Sequence, residues 1–392
     1  MKKYISCFLF LLYIQSVSSA GITIKGDKYI RRLIEWARDK GARFNQRVEF
    51  RSTNPDDPDA PFGLFAKEEI RGKEIIFSIP NSLVLTTGKK EVIESAMPCE
   101  TVFRLIREMK RGKKSKFAPW MNYLKKQKKI SLPSAWSKEG KALLRLVVDQ
   151  LRPAGVDNWI EQEWYEECKG EKNEIHENLA LMVISRGWDY TMVPVYEIMN
   201  HRNGNYYNTM TNLLNDGEKD VLQVRARRRI AVGEQLFTSY NLCDECKNRL
   251  EDYGTPEILR DYGFVEDYPQ RWVFDEILKF EILDSSTIDI DEQNVHRLEP
   301  AADEKLFVSW IGNGQLEDED KVFLTEEIER LQKLADNQLK EPNENVPKEE
   351  LTVIMDYHKA LLQALTLALE NFPVYKNNES TTEEGSTAKD EL

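Results

Sequence analysis

Cysteine is scarce in this 392-residue chain: there are five, and Cys7 lies in the opening apolar stretch. The other four, Cys99, Cys168, Cys243 and Cys246, are too few for a disulfide scaffold, so a hydrophobic core must supply most of the stability. Their even number permits two disulfides in an oxidising compartment. Cys243-Asp-Glu-Cys246 has redox or zinc spacing, but no second such pair and no histidine pair stands near it. No metal site is expected there, and the pair is left as a local disulfide or as two thiols. Long apolar runs are lacking too: after the opening stretch none is long enough to cross a bilayer, so no membrane insertion is expected. Positive charge is in deficit, with 55 lysines and arginines against 67 acidic residues. That balance argues against nucleic acid as a main partner and favours a basic peptide segment.

What is present starts with two terminal signals. Lys2 and Lys3 precede an almost unbroken apolar run over residues 4–14, and Ser18, Ser19 and Ala20 supply small residues for cleavage. This pattern predicts a secretory leader over residues 1–20. A membrane anchor is the alternative, but the eleven residues of the run span only about 16 Å of helix. Without Lys2 and Lys3 the balance is 53 basic against 67 acidic residues, a net charge of −14. The chain closes on Lys389-Asp390-Glu391-Leu392, an address read by the retention (KDEL) receptor of the endoplasmic reticulum. Each signal has meaning only with the other, and together they predict a protein of the endoplasmic reticulum lumen. Asn378-Glu-Ser380 is a plausible glycosylation sequon in the polar tail.

Between these ends the expected elements are short. Residues 27–40 read as an amphipathic helix, with Ile30, Leu33, Ile34, Trp36 and Ala37 on one face and Gly41 as the stop. Residues 54–61, rich in proline and aspartate, must be a loop. Strands are expected over 63–66 and 75–79, and again over 221–226 and 234–240. Residues 89–183 look mostly helical, with Leu143, Leu144, Val147, Val148 and Leu151 marking a buried face. The lysine-rich stretch 110–129 carries Phe117, Trp120, Tyr123 and Leu124 between its charges, which predicts a helix with a solvated basic face rather than a nucleic-acid site. Two late helices are expected near 322–339 and 347–371, the second opening with Pro347 at its first position.

Four separated segments then carry a resemblance. Phe62-Gly63-Leu64-Phe65-Ala66 with Ile79-Pro80 resembles the opening of a SET domain. Asn200-His201, after Met192 to Met199, is similar to that family's cofactor-binding motif. Gly233-Glu234-Gln235 with Phe237-Thr-Ser-Tyr240 is similar to its closing segment, and 259–265 to the aromatic strand that shuts its substrate channel. The insertion, with Trp120, Leu132-Pro133, Trp136-Ser137 and Ser185-Arg186, resembles the Rubisco large-subunit methyltransferase branch, which also includes an actin-histidine methyltransferase. The resemblance runs from about residue 27 to 270 in one order.

It implies an α+β fold: the pseudoknotted SET β-fold of short strands, a helical insertion and a C-terminal helical region. The implied boundaries are 21–88 and 184–268 for the two SET segments, 89–183 for the insertion, 269–375 for a diverged substrate-binding region and 376–392 for a flexible tail. It further implies an S-adenosylmethionine-dependent protein N-methyltransferase, with lysine favoured over histidine as acceptor and a lumenal or transiting protein as substrate. Tyr240 would be the catalytic residue. Phe62, Gly63, Arg186, Glu197, Asn200 and His201 would hold the cofactor, and Tyr262 and Phe264 would close over it as walls of the channel. Each has an ordinary alternative: His201 as a surface histidine, Tyr240 as a buried strand residue, Arg186 as a salt-bridge partner. Three residues depart from the family's pattern: Glu197, a mild change from aspartate, and Pro61 and Asn241, where the family carries glycine; the last two motivate a second reading, an inactive SET module that binds peptides.

Overall fold

The computed structural model describes residues 23–24, 27–57, 60–86, 97–149, 151, 158–188, 191–211, 221–241, 253–274, 278–284, 305–311, 316–340 and 344–373. The leader, Cys243, Cys246, the Asn378 sequon and the closing tetrapeptide lie outside the described residues.

Local chemistry sets the first helix. Asp27 accepts hydrogen bonds from the backbone N–H groups of Tyr29 and Ile30 and so starts α1 (Lys28–Asp39). Ile30, Leu33, Ile34 and Ala37 form its buried stripe, and Gly41 turns the chain away at a φ of +98° that suits glycine. The chain then builds two interleaved sheets. One runs β1 (Thr23–Ile24), β3 (Val48–Ser52), β4 (Phe62–Ala66), β9 (Gln235–Thr238), β6 (Asn200–His201); the other runs β2 (Arg43–Phe44), β5 (Ile75–Pro80), β8 (Val221–Ala226), β7 (Thr209–Thr211). Strand β8 alternates buried and half-buried positions, as a strand with one covered face should. The functional consequence is in the first sheet: β9 pairs with β4 on one side and, in parallel, with β6 on the other. Three distant stretches of sequence thereby become neighbours.

The insertion is helical, as expected: α2 (Cys99–Arg111), α3 (Ala118–Leu124), α4 (Lys138–Val148), a π-helix over Trp159–Glu167 and α5 (Glu174–Arg186). Phe117, Trp120, Tyr123 and Leu124 are buried, while the lysines of 110–129 stay at the surface. Cys99 is joined to Cys168, with the two Cα atoms 5.3 Å apart, so the start of α2 is tied to the end of the π-helix.

Past the second SET segment the structure departs from the expectation twice. The stretch 259–265 is not a strand: α6 (Thr255–Tyr262) ends inside it, and Gly263 caps the helix at a φ of +78°. Local signals explain this, since Pro256 sits in the first turn and the Glu257 carboxylate accepts from the Gly254 N–H. The C-terminal region also holds a three-stranded antiparallel sheet, β10 (Gln270–Val273), β11 (Lys279–Leu283) and β12 (Phe307–Trp310), beside its helices α7 (Asp318–Leu334) and α8 (Lys348–Glu370). Pro347 caps α8 from outside rather than opening it.

Two hydrophobic cores result. The first joins α1, the strands of the two interleaved sheets and most of the insertion. The second joins the C-terminal sheet and helices, and it recruits α4 through Leu143, Leu144, Val147 and Val148. Polar contacts secure that link: Ser137 donates from its N–H and hydroxyl to Glu350, and Arg330 donates to the carbonyls of Leu146 and Val147. Among the described residues no helix is long and apolar enough to cross a membrane.

Candidate active site

Strands β4, β9 and β6 place Gly63, Gln235 and Asn200 together. Asn200 donates its side-chain N–H to the Phe62 carbonyl at 3.1 Å. A Cβ added at Gly63 would stand 2.6 Å from Gln235 Nε2 and 3.0 Å from Asn200 Nδ2, so the absence of a side chain at residue 63 is what leaves room for those amides. Gln235 Nε2 is buried and has no hydrogen-bond partner. A buried donor left without an acceptor costs free energy unless something supplies one. In the sequence Gln235 stands only as the end of the Gly233-Glu234-Gln235 motif, with no role of its own.

The next residue along β6 leads to the aromatic half of the site. The Tyr240 N–H donates to His201 Nδ1 at 3.0 Å, and the Tyr240 hydroxyl donates to the Met199 carbonyl at 2.7 Å. The Tyr240 ring stacks on Tyr262 with centroids 4.4 Å apart and on His201 at 5.0 Å, and Phe264 stands 6.2 Å from His201 and 6.4 Å from Tyr262. Burial holds the Tyr240 phenol well above its ordinary value, although the Arg186 guanidinium pulls the other way. Burial does the same to Tyr262. Tyr240 is therefore a neutral hydroxyl, a donor and acceptor rather than a base.

Beneath this wall lies a buried polar cluster. The Trp120 indole donates to Glu197 Oε1, while Glu197 Oε2 is buried without a partner. Arg186 lies close enough to influence Glu197, Tyr123 and Tyr240, and its guanidinium donates to Gln127 Oε1 at 3.4 Å. Burial pushes the Glu197 carboxyl up to about 7 against the pull of Arg186 and the Trp120 hydrogen bond. This acid is raised on folding, so between pH 4.5 and about 7 the unfolded chain ionises here while the folded chain does not. Stability at this position is thus lost as pH rises through that window. Glu197→Gln is expected to abolish the loss, so the Tm of the variant should gain on wild type from pH 4.5 to 7. A constant difference in Tm across those pH values would show that the carboxyl is ionised in the fold.

All nine residues named from sequence thus fall into one connected region. Phe62, Gly63 and Asn200 form its cradle, His201, Tyr240, Tyr262 and Phe264 its aromatic wall, and half-buried Arg186 and buried Glu197 its base. The structure shows the surroundings of two of the departures. Pro61 sits at the entry to β4, where its carbonyl accepts from Thr53 across the hairpin. Asn241 is fully buried and keeps a negative φ, so no left-handed backbone is needed there, and its side chain joins Ser239 and Glu266 instead. Sequence reasoning missed Glu266. Its carboxylate is 2.7 Å from His201 Nε2 and also receives Asn203, Thr255 and Asn241. One glutamate between Val265 and Asp267 looks in sequence like any surface charge.

Residues 61–241 match the family model described as the SET domain. The fold is an α+β SET fold of short strands with helices. Among solved structures, the chain is similar to the SET domain of LSMT bound to lysine and AdoHcy, at 15% identity and a TM-score of 0.45 over 87% of this chain and 92% of that one. It is also similar to Rubisco LSMT bound to AdoMet, at 13% identity and a TM-score of 0.47 over 88% and 92%. A third such structure is Rubisco LSMT bound to sinefungin and monomethyllysine, at 15% identity and a TM-score of 0.44 over 89% and 95%. A comparison with curated proteins finds no match.

Proposed function

We propose that this protein is an S-adenosylmethionine-dependent protein N-methyltransferase that modifies lysine side chains in the endoplasmic reticulum lumen. The observation that carries the reading is the junction of the Gly63–Asn200–Gln235 cradle with the neutral, buried hydroxyl of Tyr240 across one parallel strand pair. The SET match over 61–241 and the ordered motifs support it.

The cradle suits the cofactor chemically. The orphaned Gln235 amide, packed over the bare backbone of Gly63, offers a donor, and Arg186 offers a guanidinium for a carboxylate. When bound, S-adenosylmethionine supplies an electrophilic methyl group on its sulfonium. The chain supplies alignment: the acceptor nitrogen must come within about 3 Å of the methyl carbon and in line with the sulfur. The Tyr262 and Phe264 rings form apolar walls that keep water from an incoming side chain. Such a wall lowers the pKa of a lysine amine and favours the neutral nucleophile. The Tyr240 hydroxyl stays protonated and orients that nitrogen through its lone pairs.

The lumenal site of action rests on the leader and the retention tetrapeptide. The Cys99–Cys168 bond supports it, because such bonds persist in oxidising compartments. It also requires that the cofactor, made in the cytosol, be carried into the lumen.

The inactive-module reading is separated by calorimetric titration of the folded protein with S-adenosylmethionine, combined with methyl-label transfer into a lumenal extract and mass spectrometry of the product. Saturable binding and a labelled lysine are expected. No binding would remove the enzyme reading, and a labelled histidine would change the acceptor.

A further inference from the structure

We propose that Glu266 is the positioning residue of this site: its buried carboxylate decides which ring nitrogen of His201 carries the proton, and so holds the main chain at Tyr240 against the Tyr262–Phe264 wall. The activity part of this proposal rests on the methyltransferase reading; the tautomer part does not.

The tautomer follows from donors that cannot change roles. A backbone N–H only donates, so the 3.0 Å contact from the Tyr240 N–H requires an unprotonated Nδ1 on His201. The ring proton of the neutral imidazole then sits on Nε2, which faces Glu266 Oε2 at 2.7 Å, and both side chains are almost wholly buried. Moving the proton to Nδ1 would aim the Nε2 lone pair at a carboxylate and strip the Tyr240 N–H of its acceptor. Losing Glu266 removes the reason for the ring to choose this state.

The same carboxylate collects donors from three parts of the chain. Asn203 Nδ2 reaches Oε2 at 2.8 Å from the turn after β6, and the Thr255 hydroxyl donates to Oε1 from the start of α6. Asn241, next to Tyr240, approaches both oxygens at 3.3 and 3.4 Å. The Ser239 hydroxyl, with its single proton, lies between Asn203 Oδ1 at 2.8 Å and Asn241 Oδ1 at 3.1 Å. Glu266 itself stands two residues beyond Phe264. The strand that bears His201, the segment that bears Tyr240 and the segment that bears Tyr262 and Phe264 are therefore pinned at one point. Both oxygens take part in these converging contacts, and Oε2 alone meets His201 and Asn203.

The test uses full-length protein with two variants, Glu266→Ala and Glu266→Gln, and two readouts. The first is the ¹⁵N shifts of the His201 ring nitrogens, which report the tautomer without any activity. The second is the initial rate of methyl-label transfer into lumenal extract. Wild type is expected to show a protonated Nε2 and a bare, hydrogen-bonded Nδ1. The Gln variant, whose amide oxygen still accepts from Nε2, should keep both the pattern and most of the rate. The Ala variant should lose the pattern, and its rate should fall by about 100-fold, the effect of a reacting group displaced by about an ångström. A ring proton that moves without loss of rate, a rate lost with the pattern intact, or an Ala variant indistinguishable from wild type overturns the proposal. If the Ala variant does not fold, the Gln variant decides by the same pairing of readouts. Absent transfer in wild type itself would sink the enzyme reading, and the ring shifts would still judge Glu266.

Discussion

Tyr240→Phe is expected to lower methyl-label transfer by about 100- to 1,000-fold, the scale seen when one preorganised hydrogen-bonding group is removed from a reacting centre. Affinity for S-adenosylmethionine should stay within about threefold, a difference of well under 1 kcal/mol. The geometry separates the two effects. A phenylalanine ring keeps the stacking on Tyr262 at 4.4 Å and on His201 at 5.0 Å, and the backbone N–H of residue 240 still meets His201 Nδ1. What disappears is the hydroxyl that now donates to the Met199 carbonyl at 2.7 Å and offers its lone pairs to an approaching amine. Loss of the Met199 contact alone costs about 1 kcal/mol of stability, too little to unfold a domain of this size. Transfer assays and calorimetry on the same preparation decide the matter: unchanged turnover would remove Tyr240 from the chemistry, and lost cofactor binding would make it part of the cradle.

The second large effect concerns stability. Cys99 and Cys168 are separated by 69 residues, and closing a loop of that length restricts the unfolded chain by about 4 kcal/mol in the loop-entropy account. The double variant Cys99→Ser, Cys168→Ser should therefore unfold at clearly lower urea than oxidised wild type, and reduction of wild type should give the same shift. Equal midpoints would mean that the bond is absent from the purified protein. The insertion should suffer first, because the bond ties α2 to the far end of the π-helix that packs against α5.

Much of this was legible beforehand, and the reasons differ by element. Helix α1 was visible because Asp27, an apolar stripe and Gly41 all agree. The SET strands were visible because glycine-bearing turns and alternating residues frame them. The C-terminal sheet was not: its strands are four or five residues long, and the alternation in Lys279–Leu283 is too brief to outweigh the helical periodicity that follows. The pairing of Cys99 with Cys168 was equally hidden, since four cysteines allow three connectivities and only the fold selects one. Within the site, Gln235 and Trp120 stood inside ordered motifs without showing what they do, and Glu266 stood outside them. Their roles come from what the fold sets opposite them. Trp120 shows this well: it reads as the apolar face of a basic helix, and its ring is indeed buried, yet its indole N–H ends on Glu197.

The pairing of Phe65 with Gln235 bears on how the protein is made. Synthesis proceeds from the N-terminus, so β3 and β4 leave the ribosome as a hairpin whose far edge has nothing to bond until the whole insertion and most of the second SET segment have followed. An open strand edge invites wrong partners, and long-range pairings form slowly. A chain interrupted anywhere before Gln235 would carry that raw edge and no partner strand for it. This architecture therefore leaves β4 open on the nascent chain until translation reaches the strand that closes the sheet.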